Sequence, residues 1–335
     1  MTLDAALRAR LTLPAICAPM FLVTGPELVA EACKAGVVGA LPRQNARDSN
    51  TFEQWLKQIR DDLDQFAERS PHARIGPVAV NLATAFTDGE LRANLALCSK
   101  YGVDIVISAQ GNPAELAKRV HDWGGVIYHD VTSLKFAEKA IQAGVDGLNC
   151  IGAGGGGHSG TISHLVLIPK VRAMFDGVIV MAGAVTNGMA IRAAEILGAD
   201  LSYLGTRFIA TRESRARDEY KAMIVRGSSA DLTYTPDIAG IAANWLVESI
   251  RMAGLDPSNV PKPPPGKLSH AHLPDGVRPW KNIWSAGQGI DLIDDIPSVA
   301  ELVSQLRREY VDACATPDMA AAARPDAAAE TPART

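Results

Sequence analysis

Eight short apolar runs, each followed by polar or glycine-containing residues and then by a stretch of helical periodicity, constrain this chain more than any other feature. They are Ala15-Ile16-Cys17-Ala18, Val37-Val38-Gly39-Ala40, Val78-Ala79-Val80-Asn81, Ile105-Val106-Ile107-Ser108, Val126-Ile127-Tyr128-His129, Gly147-Leu148-Asn149-Cys150-Ile151, Val178-Ile179-Val180-Met181 and Leu201-Ser202-Tyr203-Leu204. None alternates apolar with polar residues, so each is expected to be buried on both faces, as parallel strands covered by helices are. Between them, residues 26–35 open with Gly25-Pro26, and proline suits a first helical turn. Phe52, Trp55, Leu56, Ile59, Leu63 and Phe66 recur near helical spacing across 52–69. The helical stretches 133–143 and 188–197 end at Gly144 and Gly198, as glycine-capped helices do. Ala35-Gly36-Val37, Ala143-Gly144-Val145-Asp146 and Gly198-Ala199-Asp200 repeat a helix end, turn and strand entry. Eight such units predict an α/β fold, a (β/α)8 TIM barrel, with an open doubly wound sheet as its rival.

Beyond the eighth run, helical patterns over 213–226 and 238–253 predict a small additional helical lobe, an insertion near 213–255. Residues 261–279 are rich in proline, histidine and glycine and read as a long loop, with His270 and His272 expected to face solvent. Trp284-Ser285-Ala286-Gly287-Gln288-Gly289 and a terminal helix over 298–310 follow. From about 316 the chain is Ala/Pro-rich, so 316–335 is expected to be a disordered tail and 1–315 one barrel domain. A net charge of −4 gives no reason to expect nucleic acid or an acidic membrane as partner. Five scattered cysteines without a C-x-x-C pair argue for a reduced protein without a zinc site. No apolar signal region opens the chain and no run is long enough to span a bilayer, so the expected location is cytoplasmic. Oligomeric state is left open.

A barrel places its site at the C-terminal ends of its strands. That selects Pro19-Met20, Asn81, Ser108-Ala109-Gln110, His129-Asp130, the run from Gly152 to Gly160, Gly183-Ala184 and Gly205-Thr206-Arg207. Six glycines among the nine residues from Gly152 to Gly160 leave backbone able to approach a ligand closely, and His158 is the one ionisable side chain there. His158 is therefore the catalytic candidate. Asn81, Ser108 and Gln110 offer hydrogen-bonding edges that suit a heteroaromatic ring better than a metal, and no acidic pair or His/Cys cluster has metal-ligand spacing. Gly183 and Gly205-Thr206 follow the last two strands, where barrels bind phosphate through backbone N–H groups. Plainer roles compete: His129 as a buried histidine bonded to Asp130 or backbone, Asn81 and Ser108 as helix caps, Met20 as core filler.

Taken in order, Asp146-Gly147-Leu148-Asn149 through Gly157-His158-Ser159-Gly160, Gly183-Ala184-Val185-Thr186-Asn187-Gly188 and Gly198-Ala199-Asp200 to Leu204-Gly205-Thr206-Arg207-Phe208 resemble the nitronate monooxygenase family, also called 2-nitropropane dioxygenases. Ala18-Pro19-Met20 and Ala286-Gly287-Gln288 look like its other signatures, and the match covers roughly 13–289. The resemblance implies a TIM barrel with non-covalent FMN. Met20, Asn81 and Gln110 would contact the flavin ring or ribityl chain, Gly183, Ala184, Gly205 and Thr206 would hold its phosphate, and Gln288 would close over it. His158 matches the family's active-site histidine, a base toward a nitroalkane α-carbon or a group orienting the nitronate. The implied reaction takes a small nitronate and O2 to a carbonyl compound and nitrite. The same scaffold also carries NAD(P)H:quinone and enoyl-thioester reductases, the alternative activity. One departure bears on subclass: Gly152-Ala153-Gly154-Gly155 stands where better-known bacterial members have a glutamate shortly before the Gly-Gly-His. A catalytically silent barrel, a third reading, requires a colourless protein.

Overall fold

In the computed structural model, which describes residues 3–83, 86–263 and 271–315, the eight apolar runs become the eight parallel strands of a closed barrel. These are β1 (Ala15–Cys17), β2 (Val38–Pro42), β3 (Val78–Ala83), β4 (Ile105–Ala109), β5 (Val126–Val131), β6 (Gly147–Ile151), β8 (Val178–Ala182) and β9 (Leu201–Leu204). The pair β7 (Gly157–His158) lies outside the barrel order. Closure is made by β1 on β9, with Ile16 opposite Tyr203.

Two-sided burial, which gave the strands their unbroken apolar look, has a layered cause. Ile16, Val38, Ala40, Ala79, Ile105, Ile107, Tyr128, Val178, Val180 and Leu201 point inward and pack together as the barrel's interior. Their strand neighbours Cys17, Val80, Val106, Ile127, Leu148, Ile179 and Leu204 point outward and pack under the helices. Among those helices, Ser49–Arg69 buries Phe52, Leu56, Ile59 and Leu63, and Gly188–Leu197 ends at Gly198 with φ +106°.

The repeated strand-entry aspartates have a shared task. Asp104, Asp146 and Asp200 each accept the main-chain N–H of the preceding strand, from Val78, Ile127 and Ile179 at 2.8, 2.8 and 2.9 Å. Each is also met by a basic side chain: Arg10, His121 and Arg172 at 2.5, 2.8 and 2.6 Å. Each carboxylate thus ties two strands together at the end remote from the site. Asp200 is the most buried, its side chain 8% exposed. Asp200→Ala strands a buried N–H and leaves Arg172 without its counter-charge, holding only carbonyls of Phe175, Gly177 and Gly198, so it is expected to cost about 3 kcal/mol in urea unfolding. A loss under about 1 kcal/mol would contradict that role.

The additional lobe is only partly helical. The helix predicted over 213–226 spans Asp218–Arg226. The one predicted over 238–253 is instead a strand and a short helix: β10 (Leu232–Thr235) pairs antiparallel with β11 (Ala243–Leu246), and Val247–Met252 follows as helix. Cross-strand pairing and complete burial of Trp245 outweigh the local helical spacing. The terminal helix runs over Val299–Cys314, with Ser298 and Glu301 forming a capping box. The expected tail, 316–335, and His270 lie outside the described residues. His272 is half-buried rather than solvent-facing, with Nε2 2.8 Å from the Asp237 carbonyl oxygen. No helix among the described residues is long and apolar enough to cross a membrane.

Candidate active site

Above the C-terminal ends of the strands lies a cavity of about 1300 Å³. Met20, Asn81, Gln110, His158, Gly183, Ala184, Gly205 and Thr206 all border it. Strand alternation explains why Asn81 does: Val80 and Leu82 face the helices, which turns Asn81 inward. Met20 is anchored by its loop, since the Asn45 amide donates to the Met20 and Thr24 carbonyls at 3.0 and 2.8 Å. Gln288 is the exception. Its side chain is exposed and its flanking Gly287 and Gly289 border the cavity instead. The Gln288 N–H donates to the Gly154 carbonyl at 2.8 Å, so this residue locks the glycine run from outside.

Backbone strain gathers here. Leu22, Gln110, Ala184 and Trp280 are the non-glycine residues with positive φ among those described. Three of them border the cavity and Leu22 adjoins Phe21, which also does. Such conformations cost energy and persist where surrounding structure enforces them, typically at functional sites. Gly183 (φ +115°) continues the turn into Ala184 (φ +55°) after β8. After β9, the turn Thr206–Ile209 starts at Gly205 with no side chain capping it. The Thr206 hydroxyl accepts from the Gly287 N–H at 2.8 Å and borders the same space. Arg207 turns away into an ion pair with Asp295.

The glycine run answers two demands. At Gly156 a Cβ would meet the Gly287 nitrogen at 2.9 Å, so close packing on the late loop requires glycine there, while Gly154 needs it for its φ of +81°. At Gly157 (φ +67°) nothing lies near, and the conformation itself is the requirement. The unexpected ribbon holds the run in place. Asn244 on β11 donates to the Gly155 carbonyl at 2.7 Å, and the Tyr234 hydroxyl donates to the Ser159 carbonyl at 2.9 Å.

His158 is thereby presented to the cavity with a buried Nε2 that has no hydrogen-bond partner. Its ring meets Trp280 edge-on at 5.2 Å, and Trp280 leans on Trp245 at 5.0 Å. Burial lowers the His158 pKa, so the neutral ring is the resting form near pH 7. Trp280 supplies part of that burial. Trp280→Ala is therefore expected to move the His158 titration, followed by NMR of the ring protons, to higher pH; no upward movement would contradict this.

His129 borders the cavity from the outer side of β5, away from the barrel axis. Its outward-facing ring lies beneath the helices with Nδ1 2.8 Å from Ser108 Oγ, and burial lowers its pKa to about 4. Ser108 is fully buried and, like Asn81, caps no helix; Thr87 caps the one after β3. Sequence reasoning passed over Tyr203, Trp280 and Asn149. Tyr203 carried a signal, the inward position of β9 one step past Ser202, whereas nothing local to Trp280 marks it.

A family model, nitronate monooxygenase, matches residues 6–309. A nitronate monooxygenase of Paraburkholderia phytofirmans is 28% identical, with 88% of this chain and 92% of that protein covered. A Rhodococcus jostii protein, (3aS,4S,5R,7aS)-5-hydroxy-7a-methyl-1-oxo-octahydro-1H-indene-4-carboxyl-CoA dehydrogenase, is 27% identical over 72% of this chain, which spans 65% of that relative's length. Among solved structures, nitroalkane oxidase from Streptomyces ansochromogenes superposes with a TM-score of 0.74 at 24% identity, covering 92% of this chain and 99% of that one. FabK from Thermotoga maritima gives a TM-score of 0.73 at 22% identity, covering 94% and 97%. With a barrel, a strained cavity and a family match over nearly its whole length, the chain belongs to the nitronate monooxygenase family of flavin-dependent oxidoreductases.

Proposed function

We propose that the protein is an FMN-dependent nitronate monooxygenase, converting alkyl nitronates and O2 to carbonyl compounds and nitrite. The observation that carries this is the sharing of one cavity by two turns, Gly183-Ala184 and Gly205-Thr206, with the unpartnered Nε2 of His158. The residues fit the cofactor. A Cβ on Gly205 would meet nothing nearer than Met20 Sδ at 3.8 Å, so the turn faces open space, and main-chain N–H groups at such turns suit a phosphate. Met20, Asn81 and Gln110 would lie along the ring and ribityl chain. When bound, FMN supplies the electron-accepting and O2-reacting chemistry. The chain's own share is positional and electrostatic. Neutral His158 can donate from Nε2–H to an anionic oxygen of the nitronate or, with the parent nitroalkane as substrate, accept the α-carbon proton at Nε2, depending on tautomer. Trp280 and the ribbon behind it keep water from that nitrogen.

A second reading, a flavin enzyme acting on a thioester, draws on cavity size. The cavity's about 1300 Å³ must hold flavin and substrate together, and it continues past Thr132, Phe136 and Lys139 on the outer side of β5, where a longer substrate could run. The test is to add an alkyl nitronate in air to the yellow holoprotein. Oxygen uptake with matching nitrite is expected. Flavin bleaching by NADH under anaerobic conditions, with no nitrite in air, would replace the nitronate reading with the reductase one.

A further inference from the structure

A second ionisable group faces the same cavity from its floor. On β5, Tyr128 belongs to the barrel interior while Ile127 and Val131 pack under the helices, so Asp130 stands inward, one layer above Tyr128. It borders the cavity, as Asn81 and Tyr203 do. Asp130 is in register with Asn149 of β6, and the Asn149 Nδ2 donates to its Oδ1 at 2.8 Å. Asn149 is completely buried, and its Oδ1 has no partner. Asn149 does not line the cavity, so a ligand there meets this pair through the Asp130 carboxyl.

We propose that Asp130 is a second acid–base group of this site, exchanging a proton with the ligand atom that lies against the cavity floor, with Asn149 as its positioning residue. The inference rests on the cavity being the ligand site, and not on the ligand being a nitronate. The step is one proton transfer: the O–H bond of the carboxyl breaks as a bond from that proton to an electron-gaining ligand atom forms. The carboxylate left behind keeps the Asn149 hydrogen bond. The reverse transfer restores the acid, and no further reactant is needed.

The surroundings suit such an exchange. Burial raises the Asp130 pKa to about 7, and the Asn149 hydrogen bond opposes it. The titratable group facing it from β9 is Tyr203, whose pKa is also raised, first by burial and then by the Asp130 charge, so it stays a neutral phenol. His129, next to it on β5, points outward and is neutral near pH 7. His158 approaches the cavity from β7, also neutral. No basic side chain is among the contributors to the Asp130 shift. A carboxyl poised between acid and base near neutral pH is effective in either direction.

The shared chemistry is a hydrogen-bonding ligand atom, and the source is either the flavin or the substrate. The test uses the holoprotein in three readouts across mildly acidic to mildly alkaline pH: the infrared band of a protonated carboxyl, the flavin absorbance without substrate, and kcat/KM with substrate. The expected result is a carboxyl band that titrates near neutrality and is missing from Asp130→Asn, together with loss of a matching inflection in that variant. If the inflection lost is in flavin absorbance, the partner is the flavin; if only in kcat/KM, with a loss of roughly a hundredfold, it is the substrate. Asn149→Ala should move the inflection to higher pH, because it removes the bond that favours the charged form. That variant also keeps the test open should Asp130→Asn not fold. A band and inflections unchanged in Asp130→Asn, or an Asp130 ionised throughout, would overturn the proposal. Nitrite formation with the pH profile intact in Asp130→Asn removes Asp130 alone; a titrating Asp130 band without nitrite removes the nitronate reading alone.

Discussion

Replacing His158 with alanine is expected to leave FMN bound and to lower turnover with a nitronate by roughly a hundredfold to ten-thousandfold, the usual range for a positioned acid–base group. The side chain is held by backbone that the substitution does not touch: Asn244 on Gly155 and Tyr234 on Ser159 stay in place. The turns after β8 and β9 are separate from it in sequence, so cofactor retention, read from the visible flavin spectrum, separates a chemical from a structural loss. The pH profile adds a second check. Burial lowers the His158 pKa, so with a nitroalkane as substrate a base role predicts that kcat/KM falls as pH drops through a value below that of an ordinary histidine. Turnover unchanged in His158→Ala would remove His158 from the chemistry.

A negative charge introduced at Gly205 is expected to remove the flavin altogether. The backbone there has φ −103°, ordinary for any residue, and a Cβ would meet only Met20 Sδ and Ala18 Cβ, at 3.8 and 3.9 Å. Gly205→Ala should therefore fold and keep most of its FMN. Gly205→Asp would place a carboxylate at the position proposed for the phosphate. At about 4 Å and an effective dielectric near 20, one pair of like charges costs about 4 kcal/mol, or roughly a thousandfold in Kd. The expected protein is colourless with the thermal stability of the wild-type apoprotein. A yellow Gly205→Asp protein would show that the phosphate lies elsewhere.

Much of this was legible from the chain because parallel strands under helices require apolar residues on both faces, so all eight strands announced themselves as unbroken runs. The entries at Asp146 and Asp200 marked where strands begin, and the structure adds why: each carboxylate holds a neighbouring strand's N–H, as Asp104 also does. The cavity positions followed from one rule, that barrel chemistry sits where strands end. What escaped depends on contacts distant in sequence. Ala243-Asn244-Trp245-Leu246 has helical spacing locally, and only pairing with Leu232–Thr235 makes it a strand. Trp280 reaches His158 from a proline-rich segment with no periodicity to follow. Gln288 was expected over the cofactor, and the structure adds a contact no sequence displays, its main-chain N–H on the Gly154 carbonyl. Asp130 was visible at a strand end, but its proton affinity comes from burial, which a sequence does not display.

The most direct measurement is a crystal structure of the protein grown with FMN. The phosphate is expected on the main-chain N–H groups of the Gly183-Ala184 and Gly205-Thr206 turns, with the ring near Asn81 and Gln110 and within reach of His158. A phosphate found beside Lys139 and Phe136 at the outer end of the cavity, or a ring remote from His158, would contradict it.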